Sequence, residues 1–206
     1  GGTYTGIGLV NGLDLIDKVD FPTVTQDGAM FYIASLKENL NKLLLKNRIS
    51  LKQVEYVGMG IPGSVNMDTG MVEYANNIGF TDIPMQDLLQ DQLGIPVYLD
   101  NDANLAALGE YLLSGSQSKS FLMVTLGTGI GASLILEGRI YRGVNFAEGE
   151  LGHMSIRYGG KHCNCGRRGC FETYASASAL INQARIAMRK DSQSLLWKLV
   201  AGDIDH

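Results

Sequence analysis

A short glycine pattern occurs twice in this chain of 206 residues, and it constrains the fold more than any other feature. Gly2-Thr3-Tyr4-Thr5-Gly6-Ile7-Gly8 near the start is echoed by Gly127-Thr128-Gly129-Ile130-Gly131. Both combine Gly-Thr with Gly-Ile-Gly, and both lead into an apolar strand. A duplicated lobe, each copy carrying one glycine hairpin, explains the echo economically. Glycine makes up 26 of the 206 residues, about one in eight. It gathers in clusters, which suggests backbone brought close to something.

The elements between the two copies agree with two α/β lobes. Met30, Ile33, Ala34, Leu40, Leu43 and Leu44 recur at helical spacing between Asp27 and Asn47. Val54 to Ile61 reads as a strand ending at Pro62-Gly63. Pro84 to Leu93 reads as a helix opened by proline and closed by Gly94. A strand at Pro96–Leu99 leads into a helix over Asn101–Leu113. The polar run Ser114 to Lys119 places a lobe boundary, giving lobes over residues 1–115 and 116–206. Strands at Phe121–Leu126, Ile130–Leu136 and Arg139–Tyr141 follow. A Gly- and Cys-rich loop then runs from Gly143 to Gly169, ahead of a helix from Ser176 to Lys190. Strands followed by helices, twice over, predict an α/β protein of two lobes. Trp197 is expected in the core, and Met59, Met67, Met71 and Met85 as core or loop filler.

Composition narrows the function. Formal charge is −4, with 18% charged and 45% hydrophobic residues, which predicts a packed globule without the basic face of a nucleic-acid protein. No apolar run reaches the ~18 residues of a membrane helix, and no signal peptide is visible. Cysteine occurs only three times, all between positions 163 and 170. That number and spacing do not make a disulfide framework, and a reducing cytoplasm is the expected compartment.

Five groups of residues can carry chemistry. The two glycine hairpins offer unpaired backbone N–H groups to phosphate oxygens, with Thr3 and Thr128 as hydroxyl donors. Asp100-Asn101-Asp102-Ala103-Asn104 follows a strand and opens a helix. One carboxylate would serve a cap; the surplus acid suits a base accepting the proton of an attacking hydroxyl. Cys163-x-Cys165-Gly-x-x-Gly-Cys170 supplies three thiols within eight residues. With one histidine they make a closed tetrahedral zinc set, and His153 and His162 both qualify by spacing. Glu148, Glu150 and Glu172 flank that cluster as acceptors for sugar hydroxyls, and Ala75-Asn76-Asn77-Ile78 after a strand reads as a substrate loop or a turn.

Together these motifs resemble the ROK family (repressors, open reading frames and kinases) over nearly the whole chain. Gly149-Glu-Leu-Gly-His153 followed by Cys163-x-Cys-Gly-x-x-Gly-Cys170 is the most specific part, and the glucokinase branch is the most similar. The resemblance implies an actin-like, ribonuclease-H-like duplicated ATPase fold with ATP and a hexose, glucose by preference, in the interlobe cleft. It implies Asp102 as the base toward the sugar 6-hydroxyl. Asn101, Glu150, His153 and Glu172 are implied as sugar ligands, with Gly63 and Asn76 lining the same pocket. Gly1, Gly2, Thr3, Gly127, Thr128 and Gly129 would meet the ATP phosphates. Structural Zn2+ would be held by His153, Cys163, Cys165 and Cys170, which selects His153 over His162. The family's phosphate motif begins with an Asp just before Gly-Gly-Thr that helps place Mg2+, and its adenosine-binding segment lies beyond position 206, so residues are expected past both ends. A homodimer is implied, with no membrane. The family also contains sugar-responsive repressors, which carry an upstream helix-turn-helix. Nucleic acid is a partner only if one precedes Gly1.

Overall fold

The computed structural model describes residues 3–143 and 149–204, with the side chain of Asn76 left out. The described chain forms two compact units, residues 1–121 with 134–148, and residues 122–133 with 149–206.

The first unit opens with strand β1 (Tyr4–Asn11) paired antiparallel to β2 (Asp14–Pro22). Gly6 and Gly8 therefore lie inside a strand, and the hairpin turns at Gly12, whose φ of 59° suits glycine. Helix α1 (Ala29–Lys46) buries Tyr32, Ile33, Leu43 and Leu44, while Met30 at its start faces solvent. Strand β3 (Val57–Ile61) pairs in parallel with β7 (Val97–Asn101). Between them in sequence, β4 (Ser64–Asn66), β5 (Met71–Ala75) and β6 (Phe80–Ile83) form a small antiparallel sheet. It is followed by α2 (Met85–Leu93). Pro84 is the residue before α2, and Gly94 closes the helix in the left-handed region. Met85, Leu89 and Leu93 recur every fourth position and pack with Ile33, Ile61, Val72, Val97 and Leu99 into one apolar core. Helix α3 (Asp102–Leu113) starts where β7 ends.

Strands β8 (Ser120–Leu126), β9 (Ile130–Leu136) and β10 (Arg139–Tyr141) form a sheet in the order β10-β9-β8. In the second unit Gly127–Gly129 turns the chain between β8 and β9. The unit continues through a cysteine-rich loop into two short helices and one long one. These are α4 (Glu172–Ala175), α5 (Ala177–Lys190) and α6 (Leu196–Leu199). Trp197 is not a core residue: it is half-buried, with its indole N–H donating to the carbonyls of Met188 and Asp191 at 3.3 and 3.1 Å. The four-residue α6 is too short to bury it. Among the described residues, no helix is long and apolar enough to cross a membrane.

Gly6-Ile7-Gly8 and Ile130-Gly131 both lie in a strand that runs into a glycine-containing hairpin turn, at Gly12 and at Gly138. A glycine turn at Gly127–Gly129 precedes β9; Gly1 and Gly2 lie outside the described residues.

Candidate functional site

The β7–α3 turn is held by the side chains of its own Asp and Asn residues. Asn101 caps α3: its side-chain oxygen accepts the backbone N–H groups of Ala103 and Asn104 at 2.9 and 3.2 Å. Its amide nitrogen donates to the Gly63 carbonyl at 3.0 Å, which ties this turn to the one after β3. Gly63 is glycine for a steric reason: a Cβ there would sit 2.2 Å from the carbonyl oxygen of Tyr74. Asp102 is then the first helical residue, half-buried, with one carboxylate oxygen 2.9 Å from the Ala103 N–H. A Cβ on Gly60 would come within 3.1 Å of the Asp102 backbone. A carboxylate at a helix N-terminus gains from the dipole and remains reachable.

Asp100, one residue before the turn, behaves differently. It is buried, and its carboxylate accepts the Asn101 N–H at 2.7 Å and the guanidinium of Arg142 at 2.6 Å. Arg142 lies 42 positions away and no sequence signal singled it out. A cavity of about 790 Å³ in the same unit is lined by Gly6, Gly8, Gly58 and Tyr32 but by neither Asp102 nor Asn101.

In the second unit, the hairpin Gly127–Gly129 is fastened by the Ala177 N–H to the Gly127 carbonyl at 2.9 Å. Thr128 stands at its tip. A Cβ on Gly129 would meet a carboxylate oxygen of Glu172 at 2.6 Å, so the hairpin and Glu172 are immediate neighbours. The segment after Gly149 lies against β9: Gly149 accepts the Ala132 N–H at 3.0 Å, and a Cβ on Gly152 would fall 2.1 Å from the Ile130 carbonyl oxygen. This close approach delivers Glu150 and His153 to the same neighbourhood. Glu150 is exposed and lies 3.7 Å from His153 Nε2. Glu148 lies outside the described residues, and of Asn76 only the backbone is described, in a helical turn over residues 76–78.

His153 joins the cysteines, and His162 does not. One ligand atom each from His153, Cys163, Cys165 and Cys170 lies within 4.8 Å of all the others. Cys163 Sγ is 3.5 Å from His153 Nδ1, and Cys165 Sγ is 3.7 Å from Cys170 Sγ. Zinc bonds of about 2.3 Å to sulfur and about 2.0 Å to nitrogen give tetrahedral edges of about 3.8 Å for S–S and about 3.5 Å for S–N. The donor set and its spacing fit that ion.

Backbone geometry sets the cluster. Gly166 and Gly169 have φ of 85° and 80°, and a Cβ on Gly169 would lie 1.8 Å from the Arg157 carbonyl oxygen. The Ile156 N–H donates to Gly169, and the Phe171 N–H to Met154, both at 2.9 Å, which brings the Cys170 end back beside His153. Burial pushes the Cys163 thiol up to about 12, whereas the Arg167 backbone N–H and guanidinium bring Cys165 down to about 6. Glu172 Oε1 accepts from Cys163 at 3.1 Å and lies 3.6 Å from His153 Nδ1.

Residues 1–203 match the model of the ROK family. The chain belongs to the ROK family. It is 40% identical over 185 residues to a glucokinase of Halalkalibacterium halodurans, covering 89% of this chain and 56% of that protein. It is 35% identical over 135 residues to the xylose repressor of Bacillus subtilis, covering 65% of this chain and 35% of that one. A ROK family glucokinase from Streptomyces griseus, solved in complex with glucose and AMPPNP, superposes with a TM-score of 0.80 at 30% identity over 100% of this chain and 65% of that one. The chain thus spans a little over half the length of the glucokinase relative. The family contains kinases and repressors alike, so membership sets the α/β fold and leaves the reaction to the residues of the site.

Proposed function

We propose that this chain is the greater part of an ATP-dependent hexose kinase of the actin-like, duplicated fold, with glucose as the substrate and its 6-hydroxyl as the acceptor. The observation that carries the reading is Asp102, a reachable carboxylate on the first residue of α3, held by a turn that uses Asn101, Gly63 and Asp100 as its frame. Phosphoryl transfer requires a base beside the attacking alcohol and dense positive charge around the phosphates. The similarity to a glucokinase and to a structure that holds glucose and AMPPNP supports the same reading.

In this mechanism the Asp102 carboxylate accepts the proton of the sugar 6-hydroxyl as that oxygen attacks the terminal phosphorus of ATP, and ADP leaves. Asn101 has one amide N–H on Gly63 and keeps its second for a sugar hydroxyl. Glu150, Glu172 and His153 Nε2 supply further acceptors and a donor for the ring hydroxyls, with Gly63 and Asn76 lining the pocket. Thr3, Thr128 and the backbone of Gly1, Gly2, Gly127 and Gly129 hold the phosphates. Magnesium, when bound with ATP, would neutralise charge on the transferring group. Zinc, when bound by His153 Nδ1 and the three thiolates, would supply a closed structural cross-link with no position left for water. His153 would then serve the metal with one nitrogen and the sugar with the other. A reducing cytoplasm suits three unpaired thiols, and a homodimer is part of the same reading.

The test is a panel of hexoses with ATP and the full-length protein. Glucose 6-phosphate and ADP should form in equal amounts, fastest with glucose. A second reading, a sugar-sensing repressor domain, draws on the similarity to the xylose repressor. It predicts no ADP with any hexose and sugar-dependent release of operator DNA instead.

A further inference from the structure

The kinase mechanism leaves Arg142 without a part, and its placement supplies one. We infer that Arg142 is a positioning residue for the base: it clamps Asp100, and Asp100 fixes the turn that presents Asp102. The inference rests on the kinase reading above.

Asp100 is 5% exposed. A carboxylate at that depth needs a countercharge and hydrogen bonds on both oxygens. Arg142 Nη2 supplies the first at 2.6 Å on Oδ2, and the side chains are 27% and 7% exposed, so water screens the pair little. Oδ1 turns inward to the Asn101 N–H at 2.7 Å and toward Asn104 Nδ2 at 3.4 Å. Asn101 and Asn104 bracket Asp102. The Asp102 backbone therefore enters α3 between two residues that Asp100 holds directly, while Gly63 holds Asn101 from the other side.

The guanidinium has little other employment. Among the described residues, Nη1 reaches only the Ile140 carbonyl, at a long 3.4 Å, and the buried Nε has no partner. Arg142 is carried just past the β9–β10 hairpin, so the clamp comes from a segment remote in sequence from the turn it steadies. Arg142 reaches Asp100 through a single N–H, Nη2 to Oδ2, so a lysine could restore the charge but not the planar guanidinium that also lets Nη1 face the Ile140 carbonyl.

The experiment is a kinetic double-mutant cycle in the full-length protein, with Arg142→Met, Asp100→Asn, both together, Arg142→Lys, and Asp102→Asn as reference. Misplacing a reacting group by about 1 Å costs on the order of 100-fold. Arg142→Met should therefore lower kcat by about 10- to 100-fold and leave the KM values for sugar and ATP within about threefold. The double variant should lose no more than the worse single variant, because both break one linkage. Arg142→Lys should fall between wild type and Arg142→Met, and it carries the same reading if the methionine variant does not fold. Wild-type kcat in the folded variants with a lowered melting temperature would show a purely structural ion pair and overturn the inference. So would losses that multiply, or a change confined to KM. Asp102→Asn separates the two claims. An active Asp102→Asn protein sinks the kinase mechanism itself, whereas an inactive one beside a fully active Arg142→Met protein sinks only the clamp.

Discussion

The first unit and the cysteine loop of the second are held together by different physics. In the first, Ile33, Ile61, Met85, Val72 and Val97 are almost wholly buried and α1, α2, β3 and β7 share one apolar core. In the loop from Gly149 to Cys170 the buried residues are few: Gly152, Cys163, Gly169 and Cys170. Its order comes from glycines pressed against carbonyls and from four ligand atoms gathered at one point. Apolar burial adds up over many contacts and degrades gradually, whereas a ligand set fails when one member is lost. The turn that carries Asp102 belongs to the tolerant kind of structure, and Glu150 and Glu172 to the brittle kind.

The largest expected effect breaks the brittle side. Structural zinc contributes an apparent ~10–16 kcal/mol to the folding of small zinc domains. Cys170→Ser, or a strong chelator, should remove the bound metal and expose the amides of residues 150–172 to hydrogen exchange, while β3, β7 and α2 keep their protection. Equal loss of protection in both regions would show that the two are not independent. Next, Leu89→Ala should destabilise the first unit by about 2–5 kcal/mol in denaturant unfolding and leave zinc content unchanged. Replacing Gly94, which has φ of 69°, by alanine should cost about 1 kcal/mol in the same unit. The smallest effect is electrostatic. Lys46, at 2.8 Å, and then Asn47, at 2.9 Å, hold Asp17 at about 2, below its ordinary 3.8. The folded value is the lower one, so this contribution is complete above about pH 3.8 and disappears as the pH falls toward 2. Asp17→Asn should flatten acid unfolding of the first unit in that window and change nothing at pH 7 beyond a small loss of stability.

Legibility in the sequence followed the same divide. Strands β9 and β10 and helix α2 were readable because alternation, helical spacing and the Pro84 and Gly94 punctuation are local. The three thiols were readable because they lie within eight residues, whereas spacing left His153 and His162 equally open and only the fold brings His153 to them. Strand β4, only three residues long, offers too few positions for a period, and β2 alternates weakly because most of its residues are exposed. Asn101 was implied as a sugar ligand by resemblance; the structure shows it capping α3 and holding the Gly63 carbonyl, and the second of these contacts spans 38 residues and leaves no local trace. The Arg142–Asp100 pair spans 42 residues and leaves no local trace. Trp197 was expected inside, but it is only half-buried, its indole N–H held by the carbonyls of Met188 and Asp191.

The central claim is that the Asp102 carboxylate takes the proton from the sugar. Its most direct test is the rate of hexose 6-phosphate formation by the full-length Asp102→Asn protein, with zinc content and melting temperature matched to wild type. A missing general base costs about 100- to 10,000-fold, and the account predicts a fall of kcat in that range with sugar binding retained. Turnover within a few fold of wild type would contradict it.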